Sequence, residues 1–238
     1  MTSPDFTYTF FRIPKDEATI RASAAQYRAL RLEALQVSPG SFSSTHAIES
    51  AFTEDDWIAR LTVPDREVFI CAATPMTSTT ASPSGSENAN SGTQWIAQVT
   101  LRGPSPADQF ALPAAANPPA QRPDSEEERW QMLSLFTLPA YRGRGLGAQL
   151  CQAALDWLRE YRAEPNTVQV RLIVKAGNDV TVNLYRRLGF EDAGRATLVE
   201  ALIANGDEEL VEVVRKTHGA VVDEQRQGLV MVMRLRRN

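Results

Sequence analysis

The sequence is short of the residues that build metal centres and disulfide frameworks. Its 238 residues include two cysteines, Cys71 and Cys151, and two histidines, His46 and His218. The cysteines lie far apart in apolar surroundings, so both read as reduced, buried thiols, which fits an intracellular, cytoplasmic setting. No Cys/His spacing suits a metal, and none is expected. No run approaches the ~20 apolar residues that span a bilayer, so no membrane partner is expected. The start, MTSPDFTYTF, lacks the basic flank and apolar core of a signal peptide. Positive charge is not in excess: 25 Lys and Arg stand against 29 Asp and Glu. The basic residues are scattered apart from Arg234, Arg236 and Arg237, which argues against nucleic acid as a partner. Two phosphate-binding signatures are also missing. No Gly-x-x-x-x-Gly-Lys-Ser/Thr run exists, and Gly143, Gly145 and Gly147 are evenly spaced, unlike a dinucleotide fingerprint.

Apolar residues make up 43% of the chain, enough for a sizeable core in one or two domains. The most informative stretch is Leu133 to Tyr161, LSLFTLPAYRGRGLGAQLCQAALDWLREY. Leu133, Leu135, Phe136 and Leu138 form the apolar run of a buried strand. Pro139, with no N–H to donate, ends it. Apolar residues then recur at Leu146, Leu150, Ala154, Trp157, Leu158 and Tyr161, the spacing of an amphipathic helix. The three glycines therefore sit at a helix N-terminus directly after a strand. There the first-turn N–H groups lack intrahelical partners and the helix dipole adds positive potential. Glycine permits positive φ and close approach to the backbone, and Arg142 and Arg144 add charge. The result is an anion cradle suited to a pyrophosphate. A bare Gly-x-Gly would be only a turn; the strand, proline, arginines and helix in order give the reading its weight.

Upstream, Phe6 to Ile13 reads as a first strand. A helix from Asp16 or Thr19 runs to about Val37, where Ser38-Pro39-Gly40 stops it. Glu49 and Thr53 to Leu61 predict a second helix, with Thr53 as N-cap and Trp57 and Leu61 facing inward; His46 falls in the loop before it. Glu67 to Ala73 and Trp95 to Leu101 are the next strands. Between them Thr74 to Gln94 is low complexity and is expected to be a disordered hairpin insertion. Gly103 to Glu128, with six prolines, is a second insertion whose acidic end, Asp124 to Glu128, reads as a solvated loop. Lengthening a loop between consecutive strands is thermodynamically cheap, so both insertions decorate one domain, residues 1–238. Downstream, Thr167 to Val174 is a fifth strand, and the strand–helix–strand order makes part of the sheet parallel. Asn178 to Leu188 is a helix ended by Gly189. Phe190 opens a sixth strand and Leu229 to Leu235 is the last. Gly194 to Gly228 is longer than a hairpin needs, and Gly206 to Lys216 reads as an extra helix.

Arg142-x-x-Gly145-x-Gly147, after Leu135-Phe136-Thr137-Leu138-Pro139, resembles motif A of the GNAT superfamily of acyl-CoA-dependent acetyltransferases. Asn178-x-x-Thr181-x-x-Leu184-Tyr185-x-x-Leu188-Gly189-Phe190 resembles its motif B. Leu30 to Leu35, followed by Ser38-Pro39 and Phe42, is similar to the family's first helix, whose following loop and helix form part of the acceptor site. The resemblance implies a mixed α/β fold with a mostly antiparallel seven-strand sheet and helices on both faces. It implies acetyl-CoA as cosubstrate and an amine as acceptor. Backbone N–H groups of Arg142, Gly143, Arg144, Gly145, Leu146, Gly147 and Ala148 would hold the pyrophosphate. The backbone of Leu135, Phe136 and Thr137, with Asn178, would hold the pantetheine arm. Asn178 and Tyr185, seven residues apart, project from one helix face. Tyr185 would be the general acid toward the CoA thiolate, since a phenol's reference pKa of ~10 lies near a thiol's. Without the resemblance, the same pair reads as an N-cap and a core tyrosine.

The sequence departs from the pattern in two places. Some N-terminal and ribosomal-protein acetylases of the superfamily carry a glutamate base on the fifth strand, where this chain has Ile173. That weakens any transfer of protein-N-terminus specificity. Thr181 replaces the usual alanine of the second motif. Glu49, Glu67 and His46 are candidate bases, with a water chain as an equal alternative. Neither cysteine sits in a nucleophile setting, so direct attack of the amine on the thioester is expected. The rivals are a CoA-binding sensor or scaffold that catalyses nothing and a partner-binding protein that uses the insertions. No motif names the acceptor or distinguishes a monomer from a homodimer.

Overall fold

A computed structural model describes residues 5–42, 44–76, 92–175, 177–219 and 221–237. In chain order the elements are β1 (Phe6–Arg12), α1 (Glu17–Val37), α2 (His46–Ser50), α3 (Glu54–Thr62), β2 (Arg66–Pro75) and β3 (Gln94–Arg102). They continue with α4 (Ala107–Phe110), β4 (Glu127–Thr137), α5 (Leu146–Glu160), β5 (Thr167–Lys175) and α6 (Asp179–Arg187). The last are β6 (Glu191–Ala196), α7 (Leu198–Asn205), α8 (Val211–His218), α9 (Val221–Glu224) and β7 (Gly228–Arg236).

The seven strands lie in the order β1-β2-β3-β4-β5-β7-β6. Only β4 and β5 are parallel; all other neighbours are antiparallel. This is the mixed, mostly antiparallel sheet that the sequence predicts. One face carries α5: the Trp157 ring meets Phe69 at 5.8 Å and Trp130 at 5.7 Å. The other face lies under α1 and α3, which pack on β3 and β2.

Local signals account for the helices. Asp16 caps α1 through Thr19 N at 3.0 Å, and Ile20, Ala24, Tyr27, Leu30 and Ala34 form its buried stripe. Thr53 and Asp56 close a capping box on α3, which satisfies two otherwise orphaned donors. On α5, Leu146, Leu150, Cys151, Ala154, Leu155 and Leu158 face inward.

Four expectations need correction. His46 is the first residue of α2, behind the N-cap Thr45, not a loop residue. The segment Gly194 to Gly228 holds α7, α8 and α9 around a small core of its own, with Leu202, Leu210 and Val214 buried. The segment Gly103 to Glu128 is not a bare loop: α4 and the turn Ala114–Ala116 bury Phe110, Leu112 and Ala116. Finally, β4 begins at Glu127, ahead of Leu133; Asp124 to Glu126 are exposed as expected, but the last two residues of the acidic run are not solvated. Glu127 is fully buried and pairs with Arg234 at 2.7 Å. Glu128 is buried beside Arg237 at 2.7 Å and also meets Trp130, Tyr161 and Arg162. Their partners come from distant strands and loops, so the run E-E-R looks like a solvated loop in the sequence. The expectation for Thr74 to Gln94 falls largely on residues 77–91, outside those described; β2 extends to Pro75 and β3 begins at Gln94.

Because Phe110 is 2% exposed and its ring covers the Arg171 guanidinium at 3.8 Å, Phe110→Ala should cost about 3–5 kcal/mol of unfolding free energy, the range for a buried aromatic. A loss below ~1 kcal/mol in urea unfolding would show that the 103–126 segment is only draped over the sheet.

Candidate active site

The cradle forms as its residue types require. Gly145 is the N-cap of α5 with φ +75°, a left-handed conformation that favours glycine. The first helical bond runs from Gln149 N to the Gly145 carbonyl at 3.1 Å. The N–H groups of Leu146, Gly147 and Ala148 thus belong to the unpaired first turn. The Arg142 N–H, in contrast, donates to the Pro139 carbonyl at 3.2 Å, so it is committed to the turn rather than to the cradle. Both arginine side chains are tethered. Arg142 Nε donates to the Thr137 carbonyl at 2.9 Å and its Nη2 to Ser38 Oγ at 3.2 Å. Arg144 Nη1 donates to the Tyr8 hydroxyl at 2.9 Å.

The cradle opens onto a gap in the sheet. Parallel pairing of β4 with β5 runs from Glu127↔Thr167 to Gln131↔Arg171 and goes no further. Beyond that point β4 pairs only with β3, and β5 only with β7. Residues 132–137 therefore present backbone groups to a space between strands. A bulge sits in the same segment. Gln98↔Phe136 and Thr100↔Leu133 leave two residues of β4, Ser134 and Leu135, opposite one of β3. Ser134 adopts φ +58°, uncommon for a residue other than glycine. A bulge re-aims the backbone, and this one lies where the strands part. Nothing in Leu133-Ser134-Leu135 signals it in the sequence. Gly147 faces the gap: a methyl there would touch Leu184 Cδ1 at 3.5 Å and Thr137 Oγ1 at 3.6 Å.

α6 lies beside these elements. Asn178 is exposed and caps α6, its Oδ1 accepting from Thr181 N at 3.4 Å. Tyr185 is 5% exposed and packs edge-on against Phe190, with centroids 5.6 Å apart. Burial first, and then neighbouring Cys151, push its pKa well above the ordinary phenol value. The group stays protonated and can serve as a donor, never as a base. Burial also pushes Cys71 up to about 11 and Cys151 up to about 12, so neither is a thiolate at neutral pH.

Two candidate bases are already engaged. Glu49, fully buried, takes a bidentate pair from Arg31 at 2.9 and 2.6 Å, and Arg60 lies 3.7 Å away. Glu67 bridges Arg12 at 2.7 Å and Lys15 at 2.8 Å. His46, half-buried on α2, is not brought to the gap by any contact among the described residues. Ile173 pairs with Val230 and packs under Gly228, an apolar environment.

A family model described as the acetyltransferase (GNAT) family matches residues 114–190, which span β4, the cradle, α5, β5 and α6. An N-alpha-acetyltransferase of Sulfurisphaera tokodaii is 35% identical over 66 residues, 27% of this chain and 37% of that protein. The match thus spans about a third of that relative's length. NAA60 of Arabidopsis thaliana, solved with a bisubstrate analogue, has a TM-score of 0.50 at 13% identity over 95% of this chain and 99% of that one. An acetyltransferase of the GNAT family from Streptococcus pneumoniae has a TM-score of 0.52 at 13% identity over 96% and 100%. At such identities the structural likeness is one of fold. The acetyltransferase (GNAT) family model thus falls on the elements that build the cradle and the gap, and the whole sheet shares the GNAT fold of these neighbours.

Proposed function

We propose that this protein transfers the acetyl group of acetyl-CoA to an amine. The observation that carries the reading is one coincidence: the glycine-rich start of α5 stands over the point where β4 and β5 part. An anion site and an open strand edge in that relation suit a long cosubstrate with a pyrophosphate at one end. Among the groups proposed to bind it, the N–H groups of Gly143 to Ala148 take the pyrophosphate, assisted by the helix dipole. The β4 backbone at Leu135, Phe136 and Thr137 pairs with the pantetheine arm, and Asn178 stands at its flank. Arg142 acts mainly by fixing the turn to Thr137 and Ser38. Near the bulge, a β4 N–H polarises the thioester carbonyl. The amine attacks directly, and Tyr185 gives its proton to the departing thiolate. With Glu49 and Glu67 held in ion pairs, water in the gap takes the amine proton. The two buried thiols suit a reducing cytoplasm.

Gly145→Val tests the cradle. A β-branched side chain at φ +75° is strained, and the turn should open. Acetyl-CoA affinity should fall at least about tenfold, or ~1.4 kcal/mol. Calorimetry on the folded variant showing unchanged affinity would sink the placement. Thioester cleavage with a panel of amines separates the enzyme from a catalytically silent CoA sensor.

A further inference from the structure

The sheet face opposite α5 carries a row of polar side chains. Arg66, Arg102, Gln131 and Arg171 stand in register across β2, β3, β4 and β5, so they share that face. Gln131 and Arg171 form the last pair before the strands part. Arg31 of α1 and Arg60 of α3 reach the same region through Glu49. Asp207, in the turn after α7, acts electrostatically on both Arg31 and Arg66, and Arg60 acts on Arg66. Five guanidiniums, Arg31, Arg60, Arg66, Arg102 and Arg171, thus meet three carboxylates, Glu49, Asp65 and Asp207.

The imbalance is specific. Arg171 is 3% exposed and donates to Gln131 Oε1 at 2.7 Å and to the Phe110 carbonyl, both neutral acceptors. Four buried donors, Arg31 Nη1, Arg60 Nε, Arg66 Nε and Trp57 Nε1, have no hydrogen-bond partner among the described residues, against unpartnered acceptors on the same sheet face at Gln98 Oε1 and Gln169 Oε1. The arginine and tryptophan atoms are donors only, so the missing complement is an acceptor. Excess positive charge in a poorly hydrated place calls for an anion, because unpaired buried charge is costly. The cluster is joined to the gap by two rings: Arg31 lies 4.4 Å from the Phe42 centroid, and Phe42 lies 6.0 Å from Phe136 of β4. The cluster lies on the sheet face opposite α5.

We propose that this arginine cluster receives a carboxylate of the acceptor, so that the amines acetylated here also carry a carboxylate and are not polycations. The proposal rests on the acetyl-transfer reading above. Its direct test is calorimetry on the full chain saturated with CoA, using sodium succinate as probe and succinamide as the uncharged isostere. Succinate should bind and succinamide should not. Arg66→Gln should weaken succinate at least tenfold while acetyl-CoA affinity holds; the carboxylates that act on Arg66 also have other arginines, Asp65 facing Arg102 at 3.5 Å and Asp207 acting on Arg31. If that variant does not fold, Arg102→Gln, on the more exposed flank, should give the same loss. Turnover then distinguishes the source of the carboxylate: β-alanine against β-alaninamide, and C-terminally amidated peptides differing only by Glu for Gln, with spermidine as the cationic control. In whichever pair is used, the acidic member should lead at least tenfold in kcat/KM. Wild-type protein that binds CoA but not succinate, or turns over acidic and amide acceptors equally, overturns the proposal. Wild-type protein that fails to bind acetyl-CoA overturns the acetyl-transfer reading instead.

Discussion

Tyr185→Phe should lower kcat by about 10²- to 10⁴-fold, the usual contribution of a general acid, with acetyl-CoA affinity largely unchanged. The substitution keeps the ring, and with it the edge-on contact to Phe190. It removes only the hydroxyl. On α6, Tyr185 follows Leu184, whose side chain lies against Gly147 of the cradle. Burial holds its pKa well above the ordinary value. The sign of the pH effect follows. Below ~10 the phenol is fully protonated, so no falling limb of the kcat profile in that range can come from this residue. A raised pKa makes a weaker acid in isolation, but a thiolate released in the same poorly hydrated space is also a stronger base. Full activity in Tyr185→Phe would mean that solvent or another group protonates the thiolate. Lost affinity with unchanged kcat would make Tyr185 a binding residue.

Glu49→Ala should destabilise the fold by about 3–5 kcal/mol, the cost of leaving a buried charge without its partner. Arg31 is 3% exposed and its bidentate contact is with Glu49; Arg60 would remain beside it. The Glu49 carboxyl is pushed up by burial, but the hydrogen bonds from Arg31 and the charges of Arg31 and Arg60 outweigh that, and its pKa is lowered overall. A lowered folded-state pKa means that the stabilisation is present above the unfolded value of ~4.3. It is lost as pH falls through the folded value. The difference between wild type and Glu49→Ala in urea unfolding should therefore be full at pH 7 and shrink below about pH 4. A loss under ~1 kcal/mol at pH 7 would mean that Arg31 finds water or Asp207 in place of Glu49. The same pairing explains why Glu49, a reasonable candidate base from its position after the first helix, is better understood as the pin that holds α1, α2 and α3 together.

The sequence by itself determined the strand, turn and helix from Leu133 to Tyr161 and the helix after Asn178. Their signals are local: a proline that cannot donate, glycines at positions needing positive φ, apolar residues at spacings of three and four. For the same reason the individual strands and the glycine turn were legible without coordinates, while the mostly antiparallel seven-strand architecture was what the resemblance to the GNAT superfamily implied. Tertiary structure alone decided the rest. Glu127 and Glu128 read as solvent-facing charges because Arg234 and Arg237 lie more than a hundred positions away. Arg66, Arg102 and Arg171 look like three scattered surface residues until register places them side by side. The parting of β4 from β5 and the left-handed Ser134 depend on how many residues each neighbouring strand contributes, which no single strand encodes. A charge in a sequence looks solvated until its partner is known, and partners brought together by sheet register and helix packing are set by the fold as a whole.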